Sequence, residues 1–596
     1  MTSRQSSHHA RRRSELRQAL LDCRGPFLVV GVFSLVINLL LLVPSIYMLQ
    51  VYDRVLTTGR LETLVMLTLI VAAALLTMSV LEALRTTITI RIGVWLNGRV
   101  GPVLIERSVR AKIRGEMSGA QPMRDLTQLQ TFIATNGLAF FFDGPWVPIF
   151  LFLVWLLHPL LGGVAICAAL LLLALTALND VLTRKSTIKA NQDQIAATQQ
   201  IDGAVRNAEV VHAMGMLPAV IDAWRHAHGA GMVALLQGAQ IGGVLQSITK
   251  FIRFFVQSGV LGLGAYLVVK GELSPGAMIA ASILLGRGLA PVEMAMQAWR
   301  NFITTRAAAG RIEKLLQDIP PEPRRTRLPS PVGRLTVNKL SYAATSSGKT
   351  VLRGLSFVVE PGEAVAIIGP SAAGKSTLCR FLAGIAQPSS GTVRLDGAEL
   401  VHWDREQLGA SVGYLPQDVE LFSGTVRSNI ARLSAEADDR SVVAAAMLAQ
   451  AHDMITELPN GYETEIGDAG TRLSGGQRQR LGLARAVYGE PRLIVLDEPN
   501  ANLDTAGESA LAAAIAELKS RGTALVIVGH RPSTLAQADK LMLLRDGHIE
   551  LFGPREEVLQ TLRDATAKSR AAESREAPRE KAEPSRVLAG KEYIAS

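Results

Sequence analysis

At 596 residues the chain exceeds what a single core supports and has room for several domains. Its formal net charge of +10 raises nucleic acid as a partner, but the basic residues flank apolar segments and fill polar connectors. That is the distribution membrane topology requires, so a nucleic-acid binder is set aside. The three cysteines, Cys23, Cys167 and Cys379, lack metal-ligand spacing and imply no disulfide framework. Cys167 lies in an apolar run and Cys379 just behind a Gly-rich loop, and both read as buried small hydrophobes.

The N-terminal stretch, Met1 to Leu21, is polar and carries His8, His9, Arg11, Arg12 and Arg13. No small-residue cleavage site follows the first apolar run, which is therefore expected to stay as a first membrane span. A spanning helix needs about 20 mostly apolar residues. Six segments qualify: about Pro26 to Gln50, Leu61 to Leu84, Leu138 to Leu157, the stretch after His158-Pro159 to Leu178, Ile248 to Val269, and Gly276 to Met296.

Short turns join these spans in pairs, and long stretches join the pairs: Arg85 to Asn136 and Asn179 to Gln246. The first long stretch carries Arg85, Arg91, Arg99, Arg107, Arg110, Lys112, Arg114 and Arg124 against Glu106, Glu116 and Asp125. That excess places it in the cytoplasm, and the basic N-terminus agrees, so both termini are expected inside. Few prolines interrupt the long connectors, which predicts helices continuing well beyond the bilayer.

From about Leu335 the pattern becomes an alternation of short apolar strands and helical stretches. Val365 to Gly369, Leu493 to Leu496 and Leu525 to Val528 read as buried strands of a three-layer α/β domain. The expected division is 1–25 basic N-terminus, 26–315 membrane domain, 316–334 linker, 335–565 α/β domain and 566–596 charged, disordered tail.

Gly369-Pro370-Ser371-Ala372-Ala373-Gly374-Lys375-Ser376 fits the phosphate-binding loop pattern, after a strand and before a helix, with Thr377 next in line. The glycines let backbone N–H groups close on phosphates at the N-terminus of the following helix. Lys375 is expected to reach the β- and γ-phosphates of ATP and the Ser376 hydroxyl to ligate Mg²⁺. Asp497, ending the strand Leu493 to Leu496, is expected to hold the Mg²⁺ shell, and Glu498 to act as general base toward the attacking water. A third segment, Leu473-Ser474-Gly475-Gly476-Gln477, forms a second anion-binding helix start.

In this order the motifs resemble an ABC transporter nucleotide-binding domain. The resemblance implies that Ser474, Gly475, Gly476 and Gln477 face the γ-phosphate held by a second copy's loop, hence a homodimer with ATP at its interface. It further implies that Gln417 contacts Mg²⁺ and senses the membrane domain, that His530 is the switch histidine near the γ-phosphate, and that Asp504 contacts the partner subunit. Thr464-Glu465-Ile466-Gly467 resembles the exporter-specific segment that touches the cytosolic helices. Where the family stacks an aromatic residue on adenine, this sequence has Ala344, with Tyr342 two residues early.

Six spans ahead of one such domain are similar to a half-transporter of the exporter type: an α-helical membrane domain followed by an α/β P-loop domain. Tyr47 to Leu56, Thr58 to Thr63, and Phe142-Asp143-Gly144-Pro145-Trp146-Val147-Pro148 resemble bacterial type I secretion transporters of the protease and lipase branch. With about 25 residues ahead of the first span, the peptidase-like domain of the bacteriocin and haemolysin branches is not expected. The resemblance implies inner-membrane residence, contact with membrane lipids, a periplasmic adaptor, an outer-membrane channel, and a secreted, unfolded protein substrate with a C-terminal signal. A lipid or drug half-transporter is the alternative. Short segments near Gln121 to Gln130 and Arg206 to Met216 are expected to dock near Gln417. Lys250, Arg253 and Arg287 are expected to line the cytosolic mouth of the path and attract an acidic chain. The alternatives are that Lys250 and Arg253 snorkel to the head groups, and that Arg287 pairs with an acid such as Glu293 on a neighbouring subunit.

Overall fold

The computed structural model describes residues 15–115, 119–135, 139–323, 325–343, 348–467, 470 and 472–576. The chain divides into two units, Met1–Pro321 and Glu322–Ser596.

The first unit is helical. It opens with α1 (Glu15–Asp22), whose Leu16 and Ala19 are buried with Cys23 in a cluster that includes Leu96, Leu104, Ile312 and Leu316. Part of the stretch expected as a basic N-terminus, 15–22, is thus helical and packed. An apolar stripe at helical spacing seats a short helix there. The first span is α2 (Arg24–Leu40) and α3 (Val43–Gln50), continued by a π-helical turn (Val51–Val55) and α4 (Leu56–Thr58). Pro44, in the first turn of α3, lacks the N–H an unbroken helix would need, which accounts for the restart.

Then follow α5 (Leu61–Ile113), α6 (Gln121–Ala134), α7 (Ala139–Asp143), α8 (Val147–Leu157), α9 (Pro159–Arg206), α10 (Ala208–Ala213), α11 (Leu217–Val269) and α12 (Pro275–Asp318). Among the described residues, six helices are long and apolar enough to cross a membrane. Both α5 and α11 have 53 residues. At 1.5 Å per residue each extends about 80 Å, far beyond ~30 Å of hydrocarbon. Leu138, the expected start of the third span, lies outside the described residues. Between α8 and α9, His158 is extended and its Nδ1 accepts the Leu160 N–H at 3.2 Å. A Cβ on Gly162 would come within 2.5 Å of Trp155 Cα, so this tight helical hairpin needs glycine.

Burial does not follow apolarity in this unit. Cys167 is exposed, although its sequence neighbourhood is apolar. A spanning helix can face lipid, so an apolar run does not imply protein around every residue in it. Polar groups turn inward instead. Arg85 pairs with Asp143 at 3.2 Å, and Asn38 Nδ2 donates to the same carboxylate at 2.9 Å. Asp53 accepts from Ser274 Oγ at 2.5 Å and from the Gly276 N–H at 2.7 Å, capping the start of α12 from the first span.

The second unit contains β1 (Leu335–Ala343), β2 (Thr350–Val359), β3 (Ala364–Ile368), α13 (Lys375–Leu382), β4 (Ser390–Leu395), β5 (Ala398–Glu399), α14 (Arg405–Ser411), β6 (Val412–Leu415), α15 (Val426–Ile430), α16 (Asp439–Leu448), α17 (His452–Thr456), α18 (Gly475–Val487), β7 (Leu493–Asp497), α19 (Thr505–Ser520), β8 (Ala524–Val528), α20 (Pro532–Leu535), β9 (Lys540–Arg545), β10 (His548–Pro554) and α21 (Arg555–Glu576). One sheet has the order β10-β9-β3-β8-β7-β6, the other β2-β1-β4-β5. Every residue of β7 and β8 is buried, the continuous apolar pattern of central parallel strands. One core lies between the sheets and α13, and a second on the opposite face against α15, α16, α18 and α19. The last helix runs past Thr566 to Glu576, where a disordered tail was expected. Its first turns pack Val558, Leu559 and Leu562 on the domain, and the Ala, Glu, Arg and Lys residues that follow are good helix formers.

Candidate functional site

The strand order brings the chemistry together. Strands β3, β8 and β7 are parallel neighbours, so the turns after them leave the same edge of the sheet. Those turns carry Gly369 to Gly374, His530, and Asp497 with Glu498. In open α/β sheets this carboxyl edge is where ligands bind.

The loop after β3 is held in a shape only its residues permit. Gly369 has φ 152°, and a Cβ there would stand 2.0 Å from the Leu544 carbonyl oxygen. Gly374 has φ 98° and caps α13 without a side chain, leaving the first N–H groups of that helix to other acceptors. Ala372, at φ 64°, is non-glycine in the left-handed region. Such a residue costs about 1–3 kcal/mol and is characteristic of ligand clamps. Pro370, Ser371 and Ala373 complete the loop, with Ala373 buried and Ser371 exposed. Lys375 Nζ donates to the carbonyls of Gly369 at 2.8 Å and Pro370 at 2.9 Å, which folds it over the cavity of the loop. Ser376 is exposed and Thr377 half-buried in the first turn of α13.

Asp497 is 2% exposed at the end of β7. Burial pushes its carboxyl above the usual range, opposed by a hydrogen bond from Ser376, while Glu498 adds to the rise. Its Oδ1 is buried with no hydrogen-bond partner. A buried acceptor without a partner is costly, and a cation beside it removes the cost. Asp497 Oδ1, Ser376 Oγ and the amide oxygen of Gln417 are hard oxygen donors of the kind Mg²⁺ takes. Among the described residues no cluster of three His, Cys, Asp or Glu side chains could cage a metal.

Glu498 leaves the strand at φ 51°, with its N–H on the Val528 carbonyl at 3.0 Å. This left-handed step breaks the strict alternation of a strand. The side chain meets Gln417, whose Nε2 donates to Glu498 Oε2 at 3.1 Å. Downstream of Gln417, Thr425 bridges Glu465, and the Val426 N–H donates to the Thr464 carbonyl at 3.1 Å. The expected exporter-specific segment is therefore paired with the chain that follows Gln417. His530 is exposed, one residue beyond Gly529, whose N–H donates to the Ile367 carbonyl at 3.3 Å.

Ser474 to Gln477 form a different locus. Ser474 caps α18: its Oγ accepts the Gln477 N–H at 3.2 Å, and Gln477 Oε1 accepts the Ser474 N–H at 2.8 Å. The groups nearest Gly475 and Gly476 are atoms of Asn502. Asp504 caps α19 through the Gly507 N–H at 2.8 Å and meets Arg480 of α18 at 3.5 Å. Sequence reasoning missed Gln479, buried on α18, whose Nε2 donates to the Pro499 carbonyl at 3.0 Å. It ties the second locus to the backbone behind Glu498, and only its place two residues after Gln477 hinted at this. Tyr342 packs edge-on against Phe381 at 5.0 Å in the core. Ala344, the expected adenine position, lies outside the described residues.

Lys250 is exposed on α11 and Arg287 exposed on α12, while Arg253 pairs with Glu293 of the same chain at 2.9 Å. The pairing acid thus serves its own subunit, and Arg253 does not present a free charge to cargo.

Fold and site together define a membrane-embedded P-loop ATPase. The ABC transporter transmembrane region family matches residues 27–287, and the ABC transporter family matches residues 352–501. The type I secretion system ATP-binding protein PrsD of Rhizobium meliloti (strain 1021) is 42% identical over 557 residues, covering 93% of this chain and 95% of the relative. The exotoxin translocation ATP-binding protein PaxB of Pasteurella aerogenes is 28% identical over 550 residues, covering 91% of this chain and 77% of the relative. The solved structure of a bacterial Atm1-family ABC exporter with ATP bound shares the fold, with a TM-score of 0.76 at 23% identity over 90% of this chain and 97% of that one. The chain belongs to the type I secretion ATP-binding proteins of the ABC transporters. It is a multi-pass membrane protein and an ATPase coupled to transport in protein secretion.

Proposed function

We propose that a homodimer of this chain drives an unfolded polypeptide with a C-terminal signal out of the cell. In this reading the α/β unit and both termini are cytoplasmic, and a periplasmic adaptor and an outer-membrane channel complete the path. ATP lies with its phosphates over Gly369 to Thr377, and Lys375 exchanges its loop carbonyls for phosphate oxygens. Asp497, Ser376 and Gln417 would hold Mg²⁺, which would neutralise charge on the substrate phosphates. Glu498 accepts the proton of the attacking water. His530 donates toward the γ-phosphate oxygens. Ser474 to Gln477 and Asp504 of the second copy close the site.

The observation that carries this reading is the hydrogen bond of Gln417 to Glu498, with the Thr425–Glu465 pairing just downstream. It joins the expected base to the segment read as the contact of the cytosolic helices. The test is ATPase activity of the purified full chain with a synthetic C-terminal segment of a secreted protein, then with lipids. Stimulation by the peptide, together with adaptor-dependent secretion, supports the proposal. Stimulation by lipid alone, with secretion unaffected by deletion of the gene, would instead mark a lipid half-transporter.

A further inference from the structure

The residues after Glu498 and the residues after His530 are bound to each other twice. Asn500 Nδ2 donates to Thr534 Oγ1 at 3.1 Å, and both side chains are buried. Glu508, in the first turn of α19, forms an ion pair with Arg531 and accepts from Ser533 Oγ at 2.6 Å. Its carboxylate therefore grips the chain on both sides of Pro532, immediately beyond His530. Arg531 is also the N-cap residue of α20, and its carbonyl accepts the Thr534 N–H at 3.2 Å. On its other side the Glu508 N–H donates to the Asp504 carbonyl at 2.9 Å, and Asp504 caps the same helix. A Cβ on Gly507 would lie 2.9 Å from Asp504 Oδ1, so Asp504 packs closely on the turn that carries Glu508.

We propose that Glu508 is a positioning residue for hydrolysis: it holds the loop of His530 in register and carries movement of Asp504 to it. The proposal rests on the reading of His530 as the γ-phosphate contact and of Asp504 as the contact with the second copy. Closure of the dimer displaces Asp504, the first turn of α19 moves as a unit, and the Glu508–Arg531–Ser533 link shifts His530 with it. Burial is modest at this pair, so its value lies in geometry more than in stability.

The experiment uses the purified full chain. Glu508→Ala lowers kcat about 10- to 100-fold, the scale of a catalytic group misplaced by an ångström, with KM for ATP within about twofold, as expected when an interaction made only in the transition state is lost. The charge-swapped pair Glu508→Arg with Arg531→Glu regains part of that loss. In a His530→Ala background Glu508→Ala adds no further loss, because a residue acting through another has nothing left to act on. A kcat unchanged by Glu508→Ala, beside a large loss in His530→Ala, overturns the proposal and leaves the reading of His530 standing. Fully multiplicative losses in the double variant also overturn it, since they mark an independent structural defect. Unchanged turnover in His530→Ala removes both.

Discussion

Arg253 of α11 and Glu293 of α12 form an ion pair of 2.9 Å inside the membrane unit, and Arg253 Nε is buried without a partner. Removing one partner of such a pair strands the other charge, at about 3 kcal/mol or more. Arg253→Met or Glu293→Leu alone is therefore expected to lower thermal stability of the detergent-purified chain, and the double change to restore most of it. A double variant no better than the worse single one would contradict the pairing.

Of the basic residues expected to attract an acidic cargo, Arg287 and Lys250 are exposed and Arg253 is paired with Glu293. Arg287→Ala is expected to reduce secretion of an Asp-rich cargo more than that of a neutral cargo carrying the same signal. The comparison of the two cargoes in the medium decides it. Equal export of both would remove the electrostatic account.

The C-terminal end of the first span is fixed to α12 by Asp53, and a Cβ on Gly276 would stand 2.6 Å from the Leu49 carbonyl oxygen. Asp53→Ala loses a charge-assisted cap, expected to cost about 1.5–3 kcal/mol. Gly276→Ala forces the first span and α12 apart. Both variants should melt at lower temperature than the wild type, and a Gly276→Ala chain as stable as the wild type would contradict the close approach.

Asp497 gives a pH signature. Its folded carboxyl lies above the unfolded value of about 3.9, chiefly because it is buried. Between those values the folded chain binds more protons than the unfolded one, so this group makes stability fall as pH rises. Asp497→Asn is accordingly expected to raise the melting temperature at neutral pH without nucleotide or metal, and the advantage to shrink in acid as the native carboxyl protonates. An advantage that grows as pH falls would show the wrong sign.

Much of the α/β unit was legible because central strands read as unbroken apolar runs. Ala364 to Ile368, Leu493 to Asp497 and Ala524 to Val528 stand out beside their glycines and acids. The spans were legible by length. What escaped was long-range or ambiguous in one dimension. Glu508 looks like any acid in a first helical turn, since its partners Arg531 and Ser533 are distant in sequence. Gln479 looks like one more polar residue of a helix until the Pro499 carbonyl meets it. Cys167 was misread because apolarity alone cannot separate lipid from protein interior. The helix α1 hid behind flanking arginines that dominate the composition of its region.

Glu498, hydrogen-bonded to Gln417, is the proposed base for the hydrolysis that drives secretion. The most direct measurement pairs ATP hydrolysis by purified Glu498→Gln with cargo in the medium of cells carrying the same variant. Hydrolysis is expected to fall about 10²- to 10⁴-fold, with ATP still bound and cargo absent from the medium. Hydrolysis near the wild-type rate, or secretion that continues without it, would contradict the account.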